Sequence, residues 1–235
     1  MKLLHLYHDL MNLYGDYANI SALCRILSSN GIDFTLDKKS LGDEIDFTDY
    51  DFVYVGSGSE ENQKLALSHL AEYGESLKSY IEKGGFALFT GNSFEMLGEE
   101  VNGFLGEYKG LGIYLFKVTE QNKTRNTADA IFKADFLKKP LIGFVNKCSE
   151  ISGIEKPLFS VLMGLGNNKE ENSEGVLENN FYGTHLTGPV LIKNPHFLKH
   201  IAEKLVGREL SLDAFKYEAA GYEITLEKLT QRMEK

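Results

Sequence analysis

Three short segments hold the residues that could do chemistry in this 235-residue chain. They read GSGSEENQ at 56–63, TGNS at 90–93 and YGTHLTGPVLIKNP at 182–195. Each lies at the end of a β-rich run, and loops at the carboxyl ends of strands in an open α/β sheet gather at one edge. We therefore expect the three segments to form one site that offers backbone N–H groups, hydroxyls and an imidazole.

The first segment favours a binding site for an anion or an oxyanion. Gly56 and Gly58 permit a tight turn, and the free N–H groups there precede a helix-like run. On its own this pattern is weak, because a Gly-Ser turn between a strand and a helix is more often a plain connection. Whether the first segment is a binding site depends on which residues the other two segments place at the same edge of the sheet.

The second segment has the form of a nucleophile elbow. In FALFTGNSFEMLG, residues 86–98, an apolar strand gives way to a small polar turn and then to helical spacing. Such a turn lifts one side chain clear of a sheet and aims helix N–H groups at it. The tip is Gly91, the residue type that adopts the unfavourable backbone angles of an elbow without strain. The shape can persist here while the nucleophile is absent.

One imidazole and one thiol are further candidates. The third segment ends a strand at a Gly-Pro corner and is expected to present His185 or Thr187 to the site; a lone His there is more often structural. Cys148 lies beside Lys147, which could favour its thiolate, although most single cysteines in strand-like runs are inert. Cys24 lies on the apolar face of a helix-like run and is assigned to the core.

Repeats of strand, loop and helix position these segments. The β-rich runs are MKLLHLY, YDFVYVG and FALFTG, and the helix-like runs ANISALCRILSSNG and NQKLALSHLAEYGESLKSYIEKGG follow the first two. This succession predicts parallel strands joined by helical crossovers. After residue 104, short strand-like pieces with turns between them predict hairpins that extend the sheet edge, and two helix-like runs, 194–207 and 211–235, follow. We predict an α/β fold with an open, mostly parallel sheet flanked by helices and with added antiparallel strands.

Composition excludes several classes of protein. Apolar residues make up 43% of the chain and charged residues 25%, and no run approaches the roughly 18 apolar residues needed to span a bilayer. The balance of 34 acidic against 25 basic residues gives a net charge of -9, which disfavours nucleic acid. Two cysteines exclude a disulfide scaffold, so we expect a cytoplasmic protein without membrane insertion.

Taken together, the segments resemble the class I glutamine amidotransferases, in the branch of cobyric acid synthase and the glutaminase subunit of lipid II isoglutaminyl synthase. DLMNLYGDYANISAL is similar to the N-terminal signature of that branch, and MGLGNN, EGV and the YGT-L-GPVLIKNP pattern are similar to its C-terminal part. The resemblance implies a flavodoxin-like domain over residues 1–207. We expect residues 208–235 to form a helical extension packed on the same domain.

The catalytic residues of the family do not carry over by this resemblance. Its elbow, Cys-Gly-Gly-Tyr-Gln-x-Leu-Gly, is similar to GNSFEMLG, which places Gly91 at the nucleophile and Asn92 at the next glycine. Its Gly-Thr-Tyr-Leu-His-Gly-Pro appears as GTHLTGP, which places Thr187 at the base. Its Gly-Phe-Glu-Asn-His loop appears as GFVNKC, with Val145 and Lys147 at the Glu and His positions.

His185 remains a candidate substitute for the base, and a binding pocket is also predicted. His185 precedes Thr187 by one side-chain period of a strand, about 6 to 7 Å along the same face. The resemblance implies a substrate-binding set formed by Gly56, Ser57, Gly58, Gln63, Asn92, Ser93 and Asn146. It implies neither a cofactor nor a metal site.

Our main hypothesis is an amidotransferase-like protein that lacks Cys-dependent glutaminase activity and acts as a binding or partner-docking subunit. The resemblance implies a Mur-ligase-type partner or another ammonia-accepting synthetase, and a glutamine-like small ligand. The alternative is an active amidohydrolase whose nucleophile is Cys148 or Ser93 and whose base is His185. An alignment error is a third reading, but shifting the elbow in either direction brings no Cys into position.

The last helix-like run is a candidate docking surface, although packing on its own domain is the expected role. Its apolar residues are Phe215, Tyr217, Tyr222, Ile224, Leu226 and Leu229.

Overall fold

A central sheet with helices on both faces organises the computed structural model, which describes residues 1–103, 105–121 and 125–233. Within those ranges the strands are β1 (Lys2–Leu6), β2 (Thr35–Lys39), β3 (Phe52–Val55), β4 (Phe86–Thr90), β5 (Glu100–Gly103), β6 (Gly106–Lys109), β7 (Lys117–Glu120), β8 (Asn126–Lys133), β9 (Leu141–Lys147), β10 (Ser149–Ser152), β11 (Phe159–Met163), β12 (Ser173–Glu174), β13 (Val176–Glu178), β14 (Phe181–Thr184) and β15 (Leu186–Thr187). The α-helices are α1 (Ala18–Ser29), α2 (Glu60–Leu70), α3 (Gly74–Glu82), α4 (Val190–Lys193), α5 (Pro195–Val206) and α6 (Lys216–Met233). The 3-10 helices are Leu13–Gly15, Phe47–Asp49, Ala71–Tyr73, Gly91–Leu97 and Asp213–Phe215.

The central sheet has the strand order β13-β14-β4-β3-β1-β2. Its four pairs from β14 to β2 are parallel, and β13 runs antiparallel to β14. This arrangement confirms the predicted α/β class with an open, mostly parallel sheet. The carboxyl ends of β3 and β4 lie side by side, so the loops that follow them meet, as a parallel sheet requires.

The later strands depart from the sequence prediction. Hairpins were expected to extend the edge of the central sheet, and of the described strands after β4, the pair β13 and β14 does so. The others form two further sheets, ordered β10-β7-β5-β6 and β12-β11-β8-β9-β15. Sequence patterns indicate several of these strands but not their partners, because pairing depends on contacts distant along the chain.

Alternate residues of the central strands face two different cores. Leu3, Phe52 and Leu88 contact one hydrophobic cluster, whereas Leu4, Val53 and Phe89 contact the other. The first cluster includes apolar residues of α1 and α5, and the second includes apolar residues of α2 and α3. Burial on both faces holds the sheet rigid, which fixes the loops at its carboxyl edge.

Two helical segments differ from their predicted form. The run after β3 divides into α2 and α3, with the 3-10 helix Ala71–Tyr73 between them. The segment after the elbow is also a 3-10 helix, Gly91–Leu97, although its spacing suggested an α-helix.

The helix α6 packs its apolar face on this chain. Tyr222 and Leu229 are buried with Ile131 and Ile142 of the neighbouring sheet. Phe215, just before α6, is buried in the core shared with α1, whereas Tyr217 and Ile224 are exposed. Most of the candidate docking face is therefore internal. Among the described residues, none of the helices has the length and apolar content needed to cross a bilayer.

Candidate functional site

The elbow is present, and its tip carries no side chain. Strand β4 ends at Thr90, and Gly91 opens the 3-10 helix with φ of 62°, a left-handed conformation. A Cβ built on Gly91 would lie 2.3 Å from Ser57 Oγ and 2.5 Å from Ser57 Cβ. Glycine therefore satisfies two demands here, the strained backbone angle and the close approach of Ser57.

The predicted anion nest is occupied by groups of the protein itself. The Gly58 N–H donates to Asn92 Oδ1 at 3.0 Å, and the Ser57 N–H donates to Asp16 Oδ2 at 2.7 Å. Gln63 Nε2 donates to the Asn92 carbonyl at 2.7 Å, which ties the start of α2 to the elbow. The structure thus brings together four of the predicted substrate-binding residues, Ser57, Gly58, Gln63 and Asn92.

The buried carboxylate of Asp16 connects these loops through hydrogen bonds. Besides the Ser57 N–H, it accepts a hydrogen bond from Thr90 Oγ1 at 2.7 Å and one from Asn19 Nδ2 at 3.1 Å. The Tyr54 hydroxyl donates to the Asp16 carbonyl at 2.8 Å. Burial raises the pKa of Asp16, against the opposing effect of these hydrogen bonds. Sequence reasoning missed Asp16 as a site residue, although it lies within the DLMNLYGDYANISAL motif.

His185 reaches the elbow from a break between two sheets. Strand β14 ends at Thr184 and β15 begins at Leu186 in a different sheet, so the expectation that one strand carries His185 and Thr187 is wrong. His185 Nε2 lies 2.7 Å from Glu95 Oε1, and both side chains are buried. The Thr187 hydroxyl instead donates to the Phe144 carbonyl of β9 at 2.9 Å.

Two carboxylates organise this side of the site. Glu95 accepts hydrogen bonds from Gln63 Nε2 at 3.0 Å and from the Ser149 hydroxyl, in addition to its contact with His185. Glu174 accepts the His185 N–H at 2.7 Å and the Thr184 hydroxyl at 2.7 Å. Neither carboxylate was identified from the sequence, because a single Glu without a recognised motif partner is read as a surface residue.

Cys148 lies at the site but is not activated. Its thiol, 5% exposed, donates to Glu60 Oε1 at 3.2 Å, and burial raises its pKa from 9.0 to about 12. The expectation that Lys147 could favour the thiolate is wrong. Lys147 Nζ turns to the carbonyls of Gly166 and Asn167, at 2.5 and 2.7 Å, and burial lowers its pKa.

Ser93 is enclosed within the elbow. Its single hydroxyl proton is shared between the Thr90 carbonyl, 2.8 Å from Oγ, and the Val55 carbonyl, 3.1 Å from Oγ, and the residue is fully buried. Both contacts stabilise the turn from β4 into the 3-10 helix. The structure gives Ser93 a positioning role in the loop.

A chain of hydrogen-bonded polar side chains lies at the exposed edge of the site. Arg125 donates to Glu60 Oε1 and to Asn146 Oδ1, both at 2.7 Å, and Asn146 Nδ2 donates to Tyr14 Oη at 3.0 Å. Burial is the largest single effect on Glu60 and opposes its ionisation, but the hydrogen bonds from Arg125, its own backbone N–H and Cys148, together with the charge of Arg125, outweigh burial and lower the pKa of Glu60. Asn146, predicted for substrate binding, is thus held between Arg125 and Tyr14.

The cavity enclosed by these groups is about 10 Å³, the space of a single water molecule. It is lined by Ser57, Glu60, Asn92, Glu95, Glu120, Arg125, Asn146, Lys147, Cys148, Ser149 and His185. Among the described residues, no group of three or more His, Cys, Asp or Glu side chains could hold a metal ion.

Residues 2–195 match the CobB/CobQ-like glutamine amidotransferase domain. The chain belongs to this family. The match covers the central sheet, the elbow, the nest and His185, which together form the site described above.

Curated relatives agree with the family assignment. The chain is 30% identical over 223 residues to the lipid II isoglutaminyl synthase (glutamine-hydrolyzing) subunit GatD of Streptococcus pneumoniae, covering 92% of this chain and 86% of the relative. It is 31% identical over 210 residues to the GatD subunit of Staphylococcus aureus, covering 89% and 86%. Among solved structures, PurLQS from Thermotoga maritima matches 88% of this chain and 95% of its own, with a TM-score of 0.54 and 13% identity. That likeness shows the fold alone.

Proposed function

We propose that this family member is an amidotransferase-like subunit without Cys-dependent glutaminase activity, which acts by docking a partner. The observation that carries the proposal is the elbow tip, where Gly91 has the backbone angle of a nucleophile position and Ser57 fills the space beside it. In this proposal residues 1–207 form the amidotransferase-like domain and 208–235 the helical extension. Two free cysteines fit a reducing, cytoplasmic location.

Hydrolysis of glutamine through a thioester needs a thiolate, a base and donors for an oxyanion. In this assignment the nucleophile position is Gly91, which offers no atom for attack. The base position is Thr187, whose hydroxyl is committed to a β9 carbonyl. The Gly58 N–H, a candidate oxyanion donor, is committed to Asn92. The thiolate and the base are therefore missing at the assigned positions, and one candidate oxyanion donor is taken by Asn92.

Docking is favoured over the binding of glutamine because the site is filled. With the Asn92 side chain in place, the cavity of about 10 Å³ has no room for an amino-acid side chain. The relatives from Streptococcus pneumoniae and Staphylococcus aureus are named as subunits of a synthase. We therefore assign this chain a Mur-ligase-type partner, or another synthetase that takes up ammonia.

The second candidate is a hydrolase with a relocated nucleophile. Cys148 and His185 line the same cavity, which is the observation in its favour. Against it, the thiol is bonded to Glu60, the imidazole lies 2.7 Å from Glu95, and the pKa of Cys148 is raised to about 12. The Ser93 hydroxyl is committed to two carbonyls of its own turn.

The deciding experiment measures glutamate release from L-glutamine by the purified chain, alone and with a Mur-type ligase from the same source. The comparison proteins are Gly91→Cys with Ser57→Gly, and the same pair with Thr187→His, since Ser57 must be removed to admit a side chain at 91. We expect the natural chain to be silent. Glutamate release that disappears in Cys148→Ala or His185→Ala would instead establish the hydrolase.

A further inference from the structure

The side chain of Asn92, the residue after the elbow tip, contacts the loop that follows β3. Its carboxamide oxygen accepts the Gly58 N–H at 3.0 Å, in the loop that leads into α2. N–H groups that precede a helix are suited to an anion or to the oxygen of a polarised carbonyl. Here the acceptor of the Gly58 N–H is part of the protein itself, the carboxamide oxygen of Asn92.

The backbone of Asn92 is fixed in a way that keeps this carboxamide in place. Gln63 Nε2 donates to the Asn92 carbonyl at 2.7 Å and to Glu95 Oε2 at 3.0 Å. Gln63 is fully buried, so the main chain of Asn92 is held against the start of α2. With the main chain held, the side chain extends over Gly58 and lines the remaining cavity.

We infer that Asn92 is the specificity-determining residue of the site, an internal carboxamide that occupies the place a substrate carboxamide would take and so excludes glutamine. The inference rests on the proposed function, in which this is an amidotransferase-like site without glutaminase activity. It goes further by naming the group that fills the pocket. It also predicts that one substitution, at Asn92, removes the exclusion of glutamine, because a single side chain supplies the contact with the Gly58 N–H.

Replacing Asn92 should therefore open the site. Asn92→Gly removes the carboxamide and frees the Gly58 N–H, whereas Asn92→Asp keeps an oxygen acceptor of the same shape as a matched control. Isothermal titration with L-glutamine, and with L-glutamate as a ligand lacking the carboxamide, measures the difference. We expect Asn92→Gly to bind glutamine at least about tenfold more tightly than the natural chain or Asn92→Asp, the effect of about one good hydrogen bond.

A second measurement keeps the test decisive if Asn92→Gly folds poorly. Asn92→Ala keeps the Cβ but loses the acceptor, and hydrogen exchange at the Gly58 amide should then be faster than in the natural chain, while Asn92→Asp retains protection. Equal glutamine binding by the natural chain and Asn92→Gly, or equal Gly58 exchange in Asn92→Ala, would overturn the role of Asn92 and leave the proposed function standing. Glutamate release by the natural chain would instead overturn the proposed function.

Discussion

Ser57 Oγ lies 2.3 Å from the position that a Cβ on Gly91 would take. The Cβ and Cα of Ser57 would be 2.5 and 3.2 Å from the same point, so rotation of the Ser57 side chain cannot relieve the overlap. The two residues come from neighbouring strand ends, since β3 and β4 are parallel neighbours. The loop after β3 therefore packs directly against the elbow that follows β4.

A side chain at the elbow tip should destabilise the protein. For Gly91→Ala we expect the free energy of unfolding to fall by about 2 to 5 kcal/mol, from the left-handed backbone and from overpacking against Ser57. Urea unfolding followed by circular dichroism measures the change. Gly207→Ala is the matched control, because Gly207 has φ of 74° with nothing within 4 Å of an added Cβ, and it should lose about 1 to 2 kcal/mol.

Removing Ser57 should rescue part of this loss. In the Ser57→Gly, Gly91→Ala double variant the contacts with Oγ and Cβ are gone, whereas the 3.2 Å approach of the residue-57 Cα and the backbone strain remain. The coupling energy should therefore be favourable by about 1 to 3 kcal/mol. The double-mutant cycle uses the same urea titrations. Strict additivity of the two substitutions would show that the loops are not packed together as described.

Glu95 should be needed for stability through its acceptor oxygens. Glu95→Ala leaves the donors of Gln63, Ser149 and His185 without their buried acceptor, and we expect it to lower the free energy of unfolding by more than about 3 kcal/mol. Glu95→Gln keeps one oxygen acceptor but turns its NH2 group toward one of these donors, and it should cost about 1 to 2 kcal/mol. Thermal unfolding distinguishes the two variants, and equal losses would contradict the acceptor role.

Local features of the fold and site were predictable from the sequence, because short-range patterns determine them. The apolar strands β1, β3 and β4 and the elbow at Gly91 follow from β-rich runs broken by small polar residues. Strand β8 was missed, since its NTADAIFK sequence begins with polar residues and shows no clean alternation.

The polar groups that complete the site could not be predicted from the sequence. Asp16, Glu95 and Glu174 are carboxylates, a residue type that is mostly exposed, and only the folded chain supplies the donors that permit their burial. The break at His185 was also hidden, because the two-residue strand β15 pairs with β9, about 40 positions earlier along the chain.

Asp16 should hold the three loops together. Asp16→Ala removes the acceptor for the Ser57 N–H, the Thr90 hydroxyl and the Asn19 amide, all of them buried. We expect the free energy of unfolding to fall by at least about 3 kcal/mol. The exposed Asp43→Ala variant is the control and should lose well under 1 kcal/mol. A small loss for Asp16→Ala in urea unfolding would contradict the network.

Cys148 should make the stability of the protein fall at high pH. Its folded pKa of about 12 lies above the ordinary 9.0, so the folded state holds the thiol proton more tightly than the unfolded chain. The stabilisation is complete below pH 9 and is lost as the pH rises toward 12, at about 1.4 kcal/mol per pH unit. Urea unfolding between pH 8 and about 10 should therefore show a steeper decline for the natural chain than for Cys148→Ala. Cys24 is present in both proteins and cancels in the comparison, and parallel pH profiles would mean that the Cys148 thiol ionises as readily in the folded protein as in the unfolded chain.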